Sequence, residues 1–291
     1  MTDVLIKPRR SVLYMPGSNQ RALTKARELP ADALIFDLED AVAPAAKETA
    51  RQQVCAALQG DYGSREVAVR INPLDNDWGK ADAIALATLR PHAVVLPKVE
   101  SAEQIDALAQ LLQQRGAEDC ELWAMIETPL GVLNVTAIAA CSRLTVLIMG
   151  TSDLANEMRL PSDPERLGFI PLLSQCVLAA RAHGCDVLDG VHLDISDAEG
   201  LRADCEQGKA LGFDGKTLIH PNQLAIANEV FAPARVDVGH AHKVIAAWKR
   251  AQQESKGVAV VDGKLVENLH VAQAQRVLAL QDAIAQRQSS K

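Results

Sequence analysis

Short aliphatic runs alternate with longer stretches in which apolar residues recur every three or four positions, and this pattern persists from residue 11 to about residue 220. The runs SVLYMP (11–16), ALIFDLE (33–39), EVAVRIN (66–72), AVVLPKV (93–99), ELWAMIE (121–127), LTVLIMG (144–150), VLDGVHL (187–193) and FDGKTLI (213–219) predict eight strands. Between them the three-and-four spacing predicts helices over 44–59, 79–90, 102–116, 164–184 and 195–211. Ser101 ahead of Glu103 and Gln104, Thr151, and Asp197 ahead of Glu199 look like helix starts.

Strands apolar on both faces need helices outside and packed side chains inside, so the pattern predicts a closed parallel (β/α)8 barrel. An open doubly wound sheet is the competing arrangement, but no G-x-G-x-x-G follows the first strand. After residue 232 the pattern changes to a helix (235–255), the run VAVVDGKLV (258–266) with a D-G hairpin turn, and a final helix (268–287). The expected organisation is a barrel over 1–232 and a helix-hairpin-helix extension over 233–291. That extension either covers a barrel mouth, its own or a neighbour's, or serves only as a stabilising cap.

At 291 residues the chain fits one such barrel. Its 48% hydrophobic and 23% charged residues allow a large buried core. A net charge of -7 without a basic stripe argues against nucleic acid, although a local Arg/Lys cluster can still hold one phosphorylated ligand such as coenzyme A. The six cysteines form no C-x-x-C pair and read as reduced and mostly buried. No apolar h-region precedes residue 9 and no run reaches the ~18 to 20 apolar residues of a membrane span, so a cytoplasmic location and no membrane partner are expected.

In a barrel of this kind, polar residues that close the strands gather at one mouth. Here those are Asp37, Glu39 and Asp40 after the second run, Arg70 and Asn72 in the third, Lys98 and Glu100 after the fourth, Glu127 and Thr128 after the fifth, and Asp153 after the sixth. A hard cation such as Mg²⁺ binds through one or two carboxylates and leaves positions for water and substrate oxygens, a demand that Glu127 and Asp153 meet. The other reading makes these acids helix caps. An inward Arg70 needs an anionic partner; it could bind a substrate carboxylate, stabilise an enolate oxygen, or form a structural ion pair with Asp37 or Glu39. A Schiff-base lysine is conceivable at Lys98 or Lys216, but the nearby carboxylates favour a metal mechanism. His220 closes the eighth run as a mouth, core or cap residue, and the H-x-H pair His240 and His242 reads as surface.

The phrases RSVLYMPGS (10–18), LIFDLEDAV (34–42), VRIN (69–72), LPKVE (96–100), IETPLG (126–131), GTSDLA (150–155) and FDGKTLIHP (213–221) resemble the citrate lyase beta-chain-like family. That family includes malyl-CoA and citramalyl-CoA lyases and is related to the metal-dependent 2-keto-acid aldolases. The resemblance implies a TIM barrel with Mg²⁺, or Mn²⁺ on similar oxygen ligands, held by Glu127 and Asp153. It implies that Arg70 contacts the keto or hydroxy acid and that Ser18 and Lys25 contact coenzyme A; Asp37 is expected as a further catalytic residue and Lys98 as a further substrate- or CoA-binding residue. It also implies a trimer or hexamer in which a neighbour's C-terminal segment completes the site. Where relatives carry an M-I-D or M-V-D sequence with a proton-transferring Asp, this chain has KLVEN (264–268), placing Glu267 there with a side chain one methylene longer. The expected reaction is cleavage of a 3-hydroxyacyl-CoA, such as malyl-, citramalyl- or citryl-CoA, to acetyl-CoA and a 2-keto acid. The alternatives are a citrate lyase beta subunit acting on a carrier-protein thioester within a complex, and a 2-keto-acid aldolase.

Overall fold

In the computed structural model, residues 6–254 and 257–289 are described; the last residue of the predicted helix over 235–255 and the first five residues of the chain lie outside them. Two compact units are present, Arg9–Phe231 and a smaller one built from Ala232–Lys291 with the N-terminal segment.

The larger unit is a closed barrel of eight parallel strands in sequence order. They are β1 (Ser11–Pro16), β2 (Ala33–Asp37), β3 (Glu66–Arg70), β4 (Ala93–Leu96), β5 (Glu121–Ile126), β6 (Leu144–Met149), β7 (Asp186–Asp189) and β8 (Gly215–Leu218), with β8 pairing back onto β1. Side-chain alternation splits them cleanly. Val12, Ile35, Ala68, Val95, Trp123, Val146, Ile148 and Leu188 fill the interior, where Ala33, Ala68 and Ala93 make room for the Trp123 indole. Leu13, Leu34, Val69, Val94, Leu147 and Leu218 face the outer layer. Each buried Val, Leu or Ile among them contributes about 1.5–3 kcal/mol relative to exposure, so the two-sided apolar runs specify closure.

Around the strands lie α1 (Gln20–Lys25), α2 (Lys47–Ala57), α3 (Asp77–Leu89), α4 (Ala102–Gln113), α5 (Pro129–Leu133), α6 (Val135–Ala139), α7 (Thr151–Met158), α8 (Ile170–His183), α9 (Ala198–Leu211) and α10 (Leu224–Val230). Ser101 and Gln104 form a capping box at α4, and Asp197 caps α9 by accepting from the Gly200 N–H. The short helices α1, α5, α6 and α10 carry too few turns to leave a periodic trace in the sequence.

Several strands are shorter than their apolar runs. The residues that close the runs leave the sheet and form the mouth; after Leu96, for example, Lys98 adopts φ 50°. The helix expected from 164 starts at Ile170, because residues 163–169 form a turn with Arg166 at φ 53° whose guanidinium reaches the Asp189 carboxylate at 3.0 Å.

The smaller unit contains α11 (Arg235–Gln253), a hairpin of β9 (Ala259–Val261) and β10 (Lys264–Val266), and α12 (Asn268–Ser289). Asp262 and Gly263 both have positive φ, the conformation of a two-residue type I′ turn. Val244, Trp248, Val261, Val266 and Val271 form this unit's own core.

Candidate active site

The alternation that buries Ile35, Ala68 and Trp123 inside the barrel carries Asp37, Arg70 and Met125 to the same inner face two residues later, with Tyr14 beside them on β1. They line a cavity of about 410 Å³ at the C-terminal ends of the strands, together with Glu127 and Asp153.

Arg70 is the hub. Its Nε and Nη2 grip Asp37 at 2.7 and 2.6 Å in a two-pronged pair, and its Nη1 lies 3.0 Å from Glu39 and 3.5 Å from Asp40. Both ion-pair partners expected as alternatives, Asp37 and Glu39, are therefore engaged. Asp37 also accepts the N–H groups of Glu39 and Ala41. Burial alone would push Asp37 up, but the Arg70 charge and hydrogen bonds outweigh it and hold the carboxyl below its ordinary value. The 38–41 loop is fixed from behind by Lys47 Nζ, which donates to the carbonyls of Leu38 and Glu39, and by Asn72 Nδ2, which also donates to Leu38.

Glu127 is 2% exposed. One carboxylate oxygen accepts the Lys98 backbone N–H at 2.7 Å, and that N–H is aimed by the left-handed conformation of Lys98. The carboxylate lies directly against Gly150, where any side chain would collide with it. Burial, then repulsion from Glu39, pushes the Glu127 carboxyl up to about 8. Glu39 rises to about 7, chiefly through burial. Its Oε2 contacts the Arg70 charge without hydrogen-bond geometry. The Lys98 ammonium sits 3.7 Å from Glu39 and 3.9 Å from Asp153, and these acids outweigh its own desolvation and raise its pKa.

This is an acid-rich cleft short of positive charge, which is what a cation-binding site requires. Among the described residues no three His, Cys, Asp or Glu side chains form a closed ligand group. The donor set is open: Glu127 and the partly exposed Asp153, the third residue of α7, whose carboxylate lies 3.9 Å from Lys98 Nζ. Two carboxylates plus substrate oxygens suit Mg²⁺ better than a closed protein cage.

Asp37, Arg70, Glu127, Asp153 and Lys98 are thus brought together. Ser18 and Lys25 are exposed on the β1–α1 segment, outside the cavity wall; Lys25 borders a separate shallow hollow with Arg21 and Thr24. Glu267 belongs to the smaller unit, exposed between β10 and α12, where its N–H donates to His270 Nδ1. Lys216 is fully buried on the outer side of β8 against Asp189, so it offers no Schiff-base amine to the cavity. His220 is a cap that accepts the Asn222 N–H, and His240 and His242 are on the surface. Tyr14, Met125 and Gly150 are site residues that the sequence pattern does not single out; the strand parity Val12–Tyr14–Pro16 is the signal for the first.

All six cysteines are free, four of them buried, and among the described residues no helix is long and apolar enough to cross a membrane. A profile described as HpcH/HpaI aldolase/citrate lyase matches residues 10–221. The chain is 52% identical over 279 residues to a (3S)-malyl-CoA thioesterase of Cereibacter sphaeroides (strain KD131 / KCTC 12085), covering 96% of each chain. It is 36% identical to the citrate lyase subunit beta of Escherichia coli (strain K12), covering 94% of this chain and 93% of that one. The structure resembles that of protein CitE from Mycobacterium tuberculosis in complex with magnesium, acetoacetate and coenzyme A, with TM-score 0.74, 30% identity, and 92% and 96% of the two chains covered.

Proposed function

The chain belongs to the HpcH/HpaI aldolase/citrate lyase family, and on that premise we propose that it is a Mg²⁺-dependent enzyme that breaks the carbon–carbon bond of a 3-hydroxyacyl-CoA thioester, with malyl-CoA as first substrate. The observation that carries this reading is the pairing, in one cavity, of the raised, cation-seeking Glu127 carboxyl with the buried Arg70 guanidinium. The magnesium held by the CitE relative and the thioester in the (3S)-malyl-CoA thioesterase name support it.

Glu127 and Asp153 would hold the ion, which when bound supplies Lewis-acid charge to the substrate's carboxylate and hydroxyl oxygens. Asp37 keeps Arg70 extended into the cavity, where its guanidinium stabilises the negative charge that moves onto the thioester carbonyl as the bond breaks. Lys98 offers a second positive charge to the acid end of the substrate, while Ser18 and Lys25 hold the coenzyme A portion. The hydroxyl proton passes to solvent as the carbon–carbon bond breaks, and Glu267 delivers a solvent-derived proton to the acetyl carbon, so acetyl-CoA and glyoxylate together account for every atom of malyl-CoA. This last step assigns the smaller unit to a neighbouring copy's mouth in a homotrimer or hexamer of a cytoplasmic protein, with light scattering as the check on assembly.

Hydrolysis of the thioester to malate and free coenzyme A is the second reading, favoured by the name of the 52% identical relative. On this reading water attacks the thioester carbonyl and the coenzyme A thiolate leaves. Purified protein with malyl-CoA, with and without Mg²⁺, distinguishes the two: the lyase yields glyoxylate and acetyl-CoA, whereas the hydrolase yields a titratable thiol and malate. Loss of product in Glu127→Ala is expected in either case, and a drop in product with Glu267→Ala is expected only of the lyase. Failure to release product from malyl-, citramalyl- or citryl-CoA would overturn the self-contained enzyme and leave the carrier-protein or aldolase alternatives.

A further inference from the structure

Two strong donors converge on one weak acceptor inside the cavity. The Tyr14 hydroxyl and Arg70 Nη1 each lie 3.6 Å from the Met125 sulfur. Among the described residues that sulfur is the hydroxyl's one hydrogen-bond partner. A thioether accepts hydrogen bonds poorly, and a half-buried phenol gains more from an oxygen that carries negative charge. The guanidinium carbon of Arg70 stacks 4.9 Å from the Tyr14 ring centroid, which keeps the two donor groups side by side. Tyr14, Arg70 and Met125 come from β1, β3 and β5 and line the same cavity as Glu127 and Asp153, with Met125 two residues before Glu127 on β5. The pair is therefore placed to receive a substrate oxygen in the cavity, with Arg70 Nη1 also facing Glu39 at 3.0 Å.

We propose that Tyr14 is a further catalytic residue, its hydroxyl acting with Arg70 Nη1 as the donor pair for the thioester carbonyl oxygen. The inference rests on the reading of this cavity as a thioester site but holds for either bond broken, because both carbon–carbon cleavage and hydrolysis drive negative charge onto that oxygen. A neutral donor suits this role, since its hydrogen bond strengthens as charge develops while its grip on the uncharged ground state stays weak. No proton is transferred. The phenol remains protonated because burial pushes its pKa up against the pull of Arg70.

Tyr14→Phe keeps the ring that stacks on Arg70 and removes only the donor. The expected result is a fall in kcat on the order of 100-fold with KM changed little and an unaltered thermal midpoint. A kcat within twofold of the parent, or an effect confined to KM, would overturn the proposal. A second measurement needs no turnover. The chain has two tyrosines, Tyr14 and Tyr62, so protein labelled with 3-fluorotyrosine gives two ¹⁹F resonances, assigned by Tyr14→Phe. Adding Mg²⁺, oxalate and acetyl-CoA should move the Tyr14 resonance and leave Tyr62 in place, whereas Mg²⁺, oxalate and coenzyme A, which lacks the carbonyl, should not move it. No shift, or the same shift with both ligands, refutes the role of Tyr14. Absence of product from the parent enzyme would refute the proposed reaction, and the fluorine result would still decide the fate of Tyr14.

Discussion

Two buried ionic clusters occupy opposite ends of the same barrel and do opposite things. At the N-terminal end Arg9 is 2.7 Å from Glu66, 3.0 Å from Glu121 and 2.7 Å from Asp186, the first residues of β3, β5 and β7, and its guanidinium stacks on Trp123. Thr145 donates a further hydrogen bond to Glu121. At the mouth, Arg70 satisfies Asp37 fully, but Glu39 and Glu127 are left with raised pKa values. The fold can close an acid cluster around one arginine and does so at the floor. The mouth therefore holds carboxyls raised in pKa at the strand ends, which is a cost to the folded protein and an attraction for a cation or an incoming ligand.

The contrast breaks if each end behaves like the other. Glu127→Gln should lower Mg²⁺-dependent turnover by roughly 1000-fold while leaving the thermal midpoint of the metal-free protein equal or higher, since it removes a carboxyl whose pKa burial and Glu39 push up rather than an ion-paired one; a large loss of stability would show that Glu127 is structural. Arg9→Met should do the reverse. Leaving its acids without the guanidinium costs about 3–5 kcal/mol in denaturant unfolding, with kcat per folded molecule unchanged.

Gly150→Ala should displace the Glu127 carboxylate, and a shift of about 1 Å can cost about 100-fold in rate, measured as kcat/KM against Mg²⁺ concentration. Wild-type activity in that variant would mean the Glu127 position does not matter.

The smallest effect is on pH dependence. With Glu127 raised to about 8, the folded state retains a proton that the unfolded chain releases at ordinary carboxylate pKa values. The favourable contribution is thus fully present below the unfolded pKa and is lost as pH rises through about 8. Melting temperatures of the metal-free protein should fall across that window, Mg²⁺ should reverse the fall, and Glu127→Gln should reduce it to the part that Glu39 contributes.

Much of this is legible in the amino-acid sequence. The two-sided apolar runs fall at all eight strands, because closure leaves no face of a strand in water. The acids at strand ends are visible because polar residues interrupt such runs abruptly. The Arg70 partner stays open at that level, since choosing Asp37 depends on the register of β2 against β3 for two residues 33 positions apart. Lys216 reads as a mouth residue in F-D-G-K-T-L-I, but parity turns it outward while Thr217 lines the cavity. Tyr14 passes as a β-forming aromatic, and nothing local marks Gly150 as the residue on which a carboxylate rests.

The closed βα repeat, the family and the chemical character of the mouth follow from the order of residues alone, because period-two and period-3.6 patterns and strand-end polarity are local properties of the chain. Which charges neutralise one another, which carboxyls rise in pKa, and that a tyrosine and an arginine share one sulfur emerge from the folded arrangement. Those outcomes depend on distances of a few ångströms between residues far apart in the chain, and on the exclusion of water from the space between them.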